Sequence, residues 1–125
     1  MKSKWITHRG IRIFYSGYSG FGNDFAGFKA EVDYATEEVM KEPENSVLSL
    51  VDVRDTMGQP EMVDYLKKIG NVSKGHIKKT AVIGVTGYRL IFLKAVARVT
   101  SMSLVPFDDD DKAKDWLIKG ETPDL

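Results

Sequence analysis

A glycine-rich segment connects the second predicted strand to the first predicted helix. It reads Ser-Gly-Tyr-Ser-Gly-Phe-Gly-Asn over residues 16–23, and the backbone amides of Gly20, Gly22 and Asn23 could hold an anion at the start of the helix. The segment lacks the Lys-Ser/Thr ending of a P-loop, and its glycines miss the spacing of a dinucleotide-binding turn. It therefore predicts either a plain flexible connection or a simple cradle for an anion such as phosphate.

Two carboxylates and an arginine follow the third predicted strand. Asp52, Arg54 and Asp55 combine groups that acid–base catalysis or a metal site could use. No histidine lies nearby in the sequence and no third carboxylate has the spacing of a metal ligand, so we expect Asp52 to cap a turn instead. We predict no catalytic residue, no metal site and no cofactor from this pattern.

Loops that follow the strands of a parallel sheet meet at one edge, which is where ligands bind in open α/β proteins. In this sequence those loops cover 16–23, 54–59, 86–88 and 107–110. We call this edge the rim, and the sequence predicts that a ligand there would contact six residues. These are Gly20, Gly22, Asn23, Arg54, Asp55 and Thr86.

The elements that must position these loops alternate between strands and helices. Short apolar segments rich in β-branched residues predict strands, and apolar residues spaced by three or four predict helices. The predicted strands cover 5–8, 11–16, 47–53, 80–85 and 102–107, and the predicted helices cover 23–41, 60–71, 87–99 and 110–119. Asn23 or Asp24 should cap the first helix, and Gly70 with Asn71 should end the second.

This order of elements predicts a single domain over 1–120, followed by a short disordered tail over 121–125. Strands separated by helices imply parallel pairing through right-handed crossovers, while the turn at Gly10 predicts an N-terminal hairpin. The fold class is therefore α/β, with a mixed, mostly parallel sheet and about four helices. Pro106 places the last strand at an edge of the sheet, since proline has no amide hydrogen for a second neighbour.

Composition excludes several classes of protein. The chain has 125 residues and no cysteine, which excludes disulfides, thiolate zinc sites and cysteine nucleophiles. Residues 1–10 lack the apolar region of a signal peptide, and the longest apolar stretch, 90–99, is far shorter than the roughly 20 residues of a membrane span. We therefore expect a cytoplasmic protein that does not span a membrane.

The charges cancel over the whole chain but are segregated along it. Residues 65–107 carry eight bases and no acid, whereas 21–64 carry eleven acids and three bases. This pattern predicts either a basic face for an acidic partner or complementary charges on facing elements. The basic connector at 74–79, taken with Lys67 and Lys68, has no interleaved aromatic residues and no known nucleic-acid motif, so we expect no nucleic-acid partner.

The third predicted helix has almost no polar face. A helix that is apolar on all sides is buried or is covered by a partner. This helix is therefore either deeply buried in the domain or has one exposed side on which Tyr88, Ile91 and Phe92 form an interface with a second copy of the chain or with another protein. The alternative is a pocket for an apolar small molecule, which five large side chains could line. These are Met40, Met57, Met62, Phe92 and Trp116.

Three segments resemble the SpoIIAA-like family, which is related in fold to STAS and CRAL-TRIO domains. They are Lys-Thr-Ala-Val-Ile-Gly-Val at 79–85, Val-Pro-Phe-Asp at 105–108 and Ala-Lys-Asp-Trp-Leu at 113–117. The resemblance implies a mixed-sheet α/β fold with four helices, and many members of the family have no established biochemical activity.

A fourth segment is similar to a phosphorylation motif of the STAS relatives. In STAS anti-sigma-factor antagonists, a serine in an Asp-Ser-Ser-Gly motif at the start of the second helix is phosphorylated to control partner binding. Residues 55–58 read Asp-Thr-Met-Gly, with threonine and methionine in place of the two serines and a shorter connection to the preceding strand. The resemblance thus implies a phospho-switch at Thr56.

Three functions follow from these observations. The missing catalytic group and the apolar third helix favour a non-enzymatic regulatory or protein-interaction domain. The CRAL-TRIO relationship and the large apolar side chains favour a carrier of a small molecule or lipid. The rim residues favour, in third place, an enzyme that acts on an anionic substrate.

Overall fold

The computed structural model of the chain describes residues 1–56, 58–87 and 89–122, and only the backbone of Arg89 and Phe92. Within these residues the chain forms five strands, four α-helices and one short 3₁₀ turn, Lys74–His76. The strands are β1 Lys4–His8, β2 Ile11–Gly17, β3 Val47–Asp52, β4 Ile77–Ile83 and β5 Leu104–Phe107. The helices are α1 Phe25–Met40, α2 Pro60–Ser73, α3 Arg89–Thr100 and α4 Asp110–Ile118.

The strands form one sheet in the order β1-β2-β3-β4-β5. β1 and β2 are antiparallel, and each later pair is parallel. The predicted α/β class, N-terminal hairpin and mostly parallel sheet are therefore confirmed. Pro106 lies on the edge strand β5, where the side without a neighbour needs no amide hydrogen.

Each parallel crossover advances one strand in the same direction across the sheet. Because such crossovers are right-handed, they place α1, α2 and α3 on one face, and the contacts of α2 with both α1 and α3 agree with this arrangement. α4 follows the last strand and packs on the opposite face, mainly against β4 and β3. No helix in the described part of the chain is long and apolar enough to cross a membrane.

The sheet separates two apolar cores. Side chains alternate between its faces along each strand, so the neighbours Phe14 and Ile13 belong to different cores. Phe14 packs with Phe28 and Met62 beneath α1 and α2. Ile13 packs with Leu117 of α4 on the other face. α4, which has nine residues, packs on this face against β2, β3, β4 and β5.

Two of the helices, α1 and α4, have an aspartate at the N-cap whose side chain bonds to amides of the first turn. Asp24, one of the two predicted caps, accepts a hydrogen bond from the Gly27 amide at 3.0 Å. The Asp109 carboxylate accepts hydrogen bonds from the amides of Asp111 and Lys112 at 2.7 and 3.1 Å. Acidic side chains at a helix start also interact favourably with the helix dipole, so capping explains the run of aspartates before α4.

The predicted end of the second helix is wrong. α2 continues through Gly70 to Ser73, and a 3₁₀ turn leads directly into β4, which begins at Ile77. Gly70 is retained inside the helix because α3 passes close to it: a Cβ atom there would lie 2.7 Å from Cγ2 of Thr100. The glycine therefore serves a tertiary contact and does not stop the helix.

The predicted tail begins inside the described residues. The Glu121 carboxylate accepts hydrogen bonds from Nζ of Lys78 at 2.8 and 2.9 Å, and its amide donates to the carbonyl of Ile118. Residues 123–125 lie outside the described residues. Glu121, the first residue of the predicted tail, is thus bonded to β4 and to the end of α4.

Candidate functional site

The glycine-rich segment is bonded to the loop that follows β3. The amides of Gly20 and Gly22 donate to the carbonyls of Arg54 and Asp55 at 2.8 and 2.9 Å. Both glycines have positive φ angles, 76° and 54°, which turn these amides toward the neighbouring loop at little steric cost. Since backbone carbonyls already occupy them, the two amides are not available to an anion.

Thr56 joins the same two loops through its hydroxyl. Its Oγ1 donates to the carbonyl of Tyr18 at 2.5 Å and accepts from the Phe21 amide at 3.3 Å. The residue is only 4% exposed. A kinase could reach the hydroxyl only after these loops separate, so the phospho-switch remains a prediction from the sequence and the observed role of Thr56 is structural.

A polar cluster lies where the rim meets the start of α4. The guanidinium of Arg54 donates to both carboxylate oxygens of Asp52, from Nε at 3.0 Å and from an Nη at 2.8 Å, and it lies 3.6 Å from Asp110. The phenol of Tyr15 donates to Asp52 at 2.7 Å. The Arg54 amide also donates to Asp52 at 3.1 Å, which confirms the predicted turn-capping role of that aspartate.

The ionisation of these groups follows from their contacts. Burial raises the pKa of the Asp52 carboxyl, but the hydrogen bonds from Arg54 and Tyr15 outweigh burial and hold it below its ordinary value. Burial and the bond to Asp52 raise the pKa of Tyr15 to about 12. One guanidinium faces two carboxylates, so the cluster has no uncompensated positive charge for an anionic substrate.

The other predicted rim residues do not join this cluster. Asn23 and Thr86 are exposed, and no hydrogen bond between described residues connects either to Arg54. Asp55 is exposed and contributes its carbonyl to the loop contact described above. No group of three or more acidic or histidine residues in the described ranges could hold a metal ion.

The predicted interface falls partly outside the described residues. Tyr88 lies in a gap of the structure, as does the side chain of Phe92. Ile91 is 69% exposed, and Val99 on the same helix is 50% exposed. α3 therefore presents at least two large apolar side chains to solvent, while Leu93 and Val96 of the same helix face inward.

Beneath α3 lies an apolar cavity of about 160 Å³, between the sheet and the three helices on that face. Its lining extends from Thr56 near the rim to Ile77 and Met102 at the opposite end of the sheet. α1 and α2 form part of its roof. The side chains they contribute include Ala35, Val39, Met62, Leu66 and Ile69.

Short side chains in the middle of the sheet form the floor of this cavity. Phe14, Ser49, Thr80 and Leu104 are paired in register across four strands, so their side chains point to the same face. The two central strands of this row contribute serine and threonine, which are much smaller than the residues at either end. The missing volume at these two positions leaves space beneath the helices.

The Thr80 hydroxyl is the unusual polar group of the cavity. The residue is 3% exposed, and its Oγ1 has no hydrogen-bond partner among the residues that the structure describes. A buried hydroxyl without a partner costs about 1–3 kcal/mol. The group is therefore available to a molecule that enters the cavity.

The sequence prediction missed this site, although a signal was present. Ser49 and Thr80 lie in segments that we interpreted only as apolar strands. Ser49 lies between two buried apolar residues of β3, and Thr80 is followed by three buried apolar residues of β4. The sequence does not show that these two positions are adjacent, because that depends on the register between β3 and β4.

Comparisons with protein-family models, with curated proteins and with solved structures found no match to this chain. The resemblance to the SpoIIAA-like family therefore remains a prediction from the sequence.

Proposed function

We propose that this domain binds a small apolar molecule carrying one hydrogen-bonding group, in the cavity between the sheet and α1, α2 and α3. The cavity with the unpartnered Thr80 hydroxyl in its lining is the observation that carries the proposal. This is the carrier function that the sequence analysis ranked second. It is favoured here because the cavity combines apolar walls with a free polar group, which is typical of ligand sites.

The size of the cavity limits the ligand. An engineered protein cavity of about 150 Å³ accommodates benzene, and the volume here is about 160 Å³. The buried part of the ligand should therefore contain about six carbon atoms. A longer molecule would need to extend past the lining or displace α3.

Binding can be tested by titrating the ¹⁵N-labelled protein with 1-hexanol and following its amide NMR spectrum. We expect saturable shifts at the amides of β3, β4 and α3, around Ser49, Thr80 and Val96. Native mass spectrometry of the freshly purified protein would show in parallel whether an apolar ligand co-purifies. Dispersed, non-saturating shifts would contradict the proposal.

Two substitutions on α3 provide a matched pair for this test. Val96→Trp places an indole in the cavity and should abolish the hexanol shifts, whereas Val99→Trp on the exposed side should leave them unchanged. If Val96→Trp does not fold, Val96→Ala, which enlarges the cavity, takes its place in the comparison with Val99→Trp. Equal hexanol binding by the folded Val96→Trp and Val99→Trp variants would place the binding site elsewhere.

The exposed side of α3 favours self-association as a second candidate function. Ile91 and Val99 are exposed on a helix that also carries Lys94 and Arg98 and has no acid. The segment 21–64 of a second copy, with its excess of acids, offers the complementary charge. Such an interface would be the protein-interaction function that the sequence analysis ranked first.

Light scattering and sedimentation at low and high salt test this candidate. A dimer formed through α3 should dissociate as salt screens the charges and should be lost in Ile91→Asp. The same substitution at Val72, an exposed apolar residue of α2, is the control. A monomer at every salt concentration would exclude self-association through this face.

A further inference from the structure

A basic groove of about 310 Å³ lies at the end of the sheet opposite the rim. It is formed where β4 begins and where the chain leaves α3 to enter β5. Its polar lining consists of three lysines and three hydroxyl residues, and none of the described residues lining it is acidic. They are Lys74, Lys78, Lys79, Thr80, Ser101 and Ser103.

The groove adjoins the apolar cavity. Ile77, Thr80 and Met102 line both spaces. The unpartnered hydroxyl of Thr80 therefore lies at the junction between an apolar compartment and a basic one. A molecule with an apolar part and a polar end could occupy both spaces at once. Thr80 would then lie beside the point where the apolar part joins the polar end.

Two of the three lysines have no carboxylate partner in the described part of the chain. Lys78 is paired with Glu121 at 2.8 Å. Nζ of Lys79 donates to the backbone carbonyls of Trp116 and Lys119 at 3.3 and 3.0 Å and lies 5.2 Å from the centre of the Trp116 ring, so this ammonium is held at the end of α4. Lys74 is exposed and forms no salt bridge with a described residue. Lys74 therefore gives the groove one positive charge without a described partner, which a single anionic group would neutralise.

We propose that the natural ligand is an anionic amphiphile, a short-chain carboxylate whose hydrocarbon part fills the cavity and whose carboxylate lies in the basic groove. This inference depends on the proposed function, since it assigns the chemical class of the molecule bound in the cavity. The Thr80 hydroxyl donates a hydrogen bond to the carboxylate, and Lys74 supplies the opposite charge. Hydrogen bonds to a charged acceptor are stronger than those between neutral groups, which favours a carboxylate over an alcohol.

Hexanoate and 1-hexanol distinguish this inference from the proposed function, because they have the same chain length and differ in the charge of the polar end. We expect hexanoate to bind at least about tenfold more tightly at low salt, the factor that about 1.4 kcal/mol produces. Added salt should weaken hexanoate binding and leave 1-hexanol binding unchanged. Hexylammonium, which carries the opposite charge, should bind more weakly than either.

Substitutions locate the anionic end. Lys74→Met should weaken hexanoate binding several-fold without changing hexanol binding, and Lys68→Met, at an exposed position of α2 outside the groove, should change neither. Thr80→Val should weaken the binding of both molecules. Both Lys74→Met and Lys68→Met replace exposed side chains, so the fold should persist in each.

The outcomes separate the two proposals. If neither hexanoate nor 1-hexanol perturbs the amides around the cavity, the proposed function fails and this inference fails with it. If 1-hexanol binds in the cavity as tightly as hexanoate, or if Lys74→Met and Lys68→Met have equal effects, the proposed function stands and the anionic class is wrong. A salt-sensitive preference for hexanoate that Lys74→Met removes would support both.

Discussion

The Asp52 carboxylate illustrates how a single buried charge organises the rim. It is 1% exposed and accepts hydrogen bonds from the side chains of Tyr15 and Arg54 and from the Arg54 backbone. Its partner Arg54 is held close to Gly84, where a Cβ atom would lie only 2.6 Å from the Arg54 amide nitrogen. Asp52 therefore stabilises the loop after β3.

Asp52→Asn should lower the free energy of unfolding by about 2 kcal/mol, because the hydrogen bonds lost involve charged groups. Urea denaturation at pH 7 measures this. Asp64→Asn removes a carboxylate that is largely exposed and 3.9 Å from Lys67, and it should change the stability by less than about 0.5 kcal/mol. Similar effects of the two substitutions would mean that the Asp52 network contributes little.

Thr80→Val should increase stability in the absence of ligand. Valine has nearly the same shape and removes a buried hydroxyl that has no described partner, so we expect a gain of about 1 kcal/mol. At Thr100, which is also buried, the hydroxyl donates to the Val96 carbonyl at 2.7 Å, and Thr100→Val should give no such gain. Loss of stability in Thr80→Val would show that the hydroxyl is hydrogen-bonded in solution.

At the scale of elements, α3 forms one wall of the cavity. It is anchored to α2 where Gly70 faces Thr100, and to the sheet through β5. Leu93 and Val96 face the cavity, and Ile91 and Val99 face solvent. The nearly uniform apolar sequence of α3 thus serves two different surfaces, one facing the cavity and one exposed.

Gly70→Ala should destabilise the protein by about 1–2 kcal/mol, because overpacking against Thr100 outweighs the higher helix propensity of alanine. Gly75→Ala is the control, since a Cβ atom there meets nothing within 4 Å. Combining Gly70→Ala with Thr100→Ser removes the Cγ2 atom and should restore stability. Failure of this double substitution to recover would mean that α2 and α3 do not touch at these residues.

At the scale of the whole molecule, three carboxylates with lowered pKa values connect segments that are distant in the sequence. Glu31 accepts hydrogen bonds from the Lys2 and Ser3 amides at 3.0 Å and so fixes the N-terminus to α1. The Asp115 carboxylate forms a hydrogen bond with Nε2 of His8 at 2.8 Å, which links the hairpin turn to α4. With Asp52, these groups connect the hairpin to α1, to the rim and to α4.

The protein should therefore lose stability in acid. Burial raises the pKa of Glu31, but the hydrogen bonds from Ser3 and Lys2 outweigh burial and lower this pKa below 4.5. The hydrogen bond with His8 lowers the pKa of Asp115 below 3.8. The pKa of Asp52 is also lowered, as described above. Carboxyls with lowered pKa values stabilise the fold above their ordinary pKa, and this contribution disappears as pH falls through the folded-state values.

Urea denaturation between pH 7 and pH 3 tests this dependence. We expect a nearly constant free energy of unfolding down to about pH 5, followed by a steady decrease. Glu31→Gln and Asp52→Asn should each make the decrease shallower. A stability that is the same at pH 3 and pH 6 would contradict the assignment of these three carboxylates.

Local patterns in the sequence determined the order of strands and helices, the edge position of Pro106, a helix cap at Asn23 or Asp24 and the turn at Asp52. These features depend on backbone preferences and on the spacing of apolar residues within one segment. Residues a few positions apart are sufficient to specify them. The α/β class followed because alternating strands and helices can form few other arrangements.

Only the tertiary structure decided which polar groups are free. The Gly20 and Gly22 amides are occupied by a loop more than thirty residues away in the sequence, and Gly70 lies inside a helix because α3 passes beside it. The cavity exists because the register between β3 and β4 places Ser49 beside Thr80. Free space and unpaired groups depend on the volumes and contacts of segments that are distant in the sequence. A local sequence pattern therefore does not predict them.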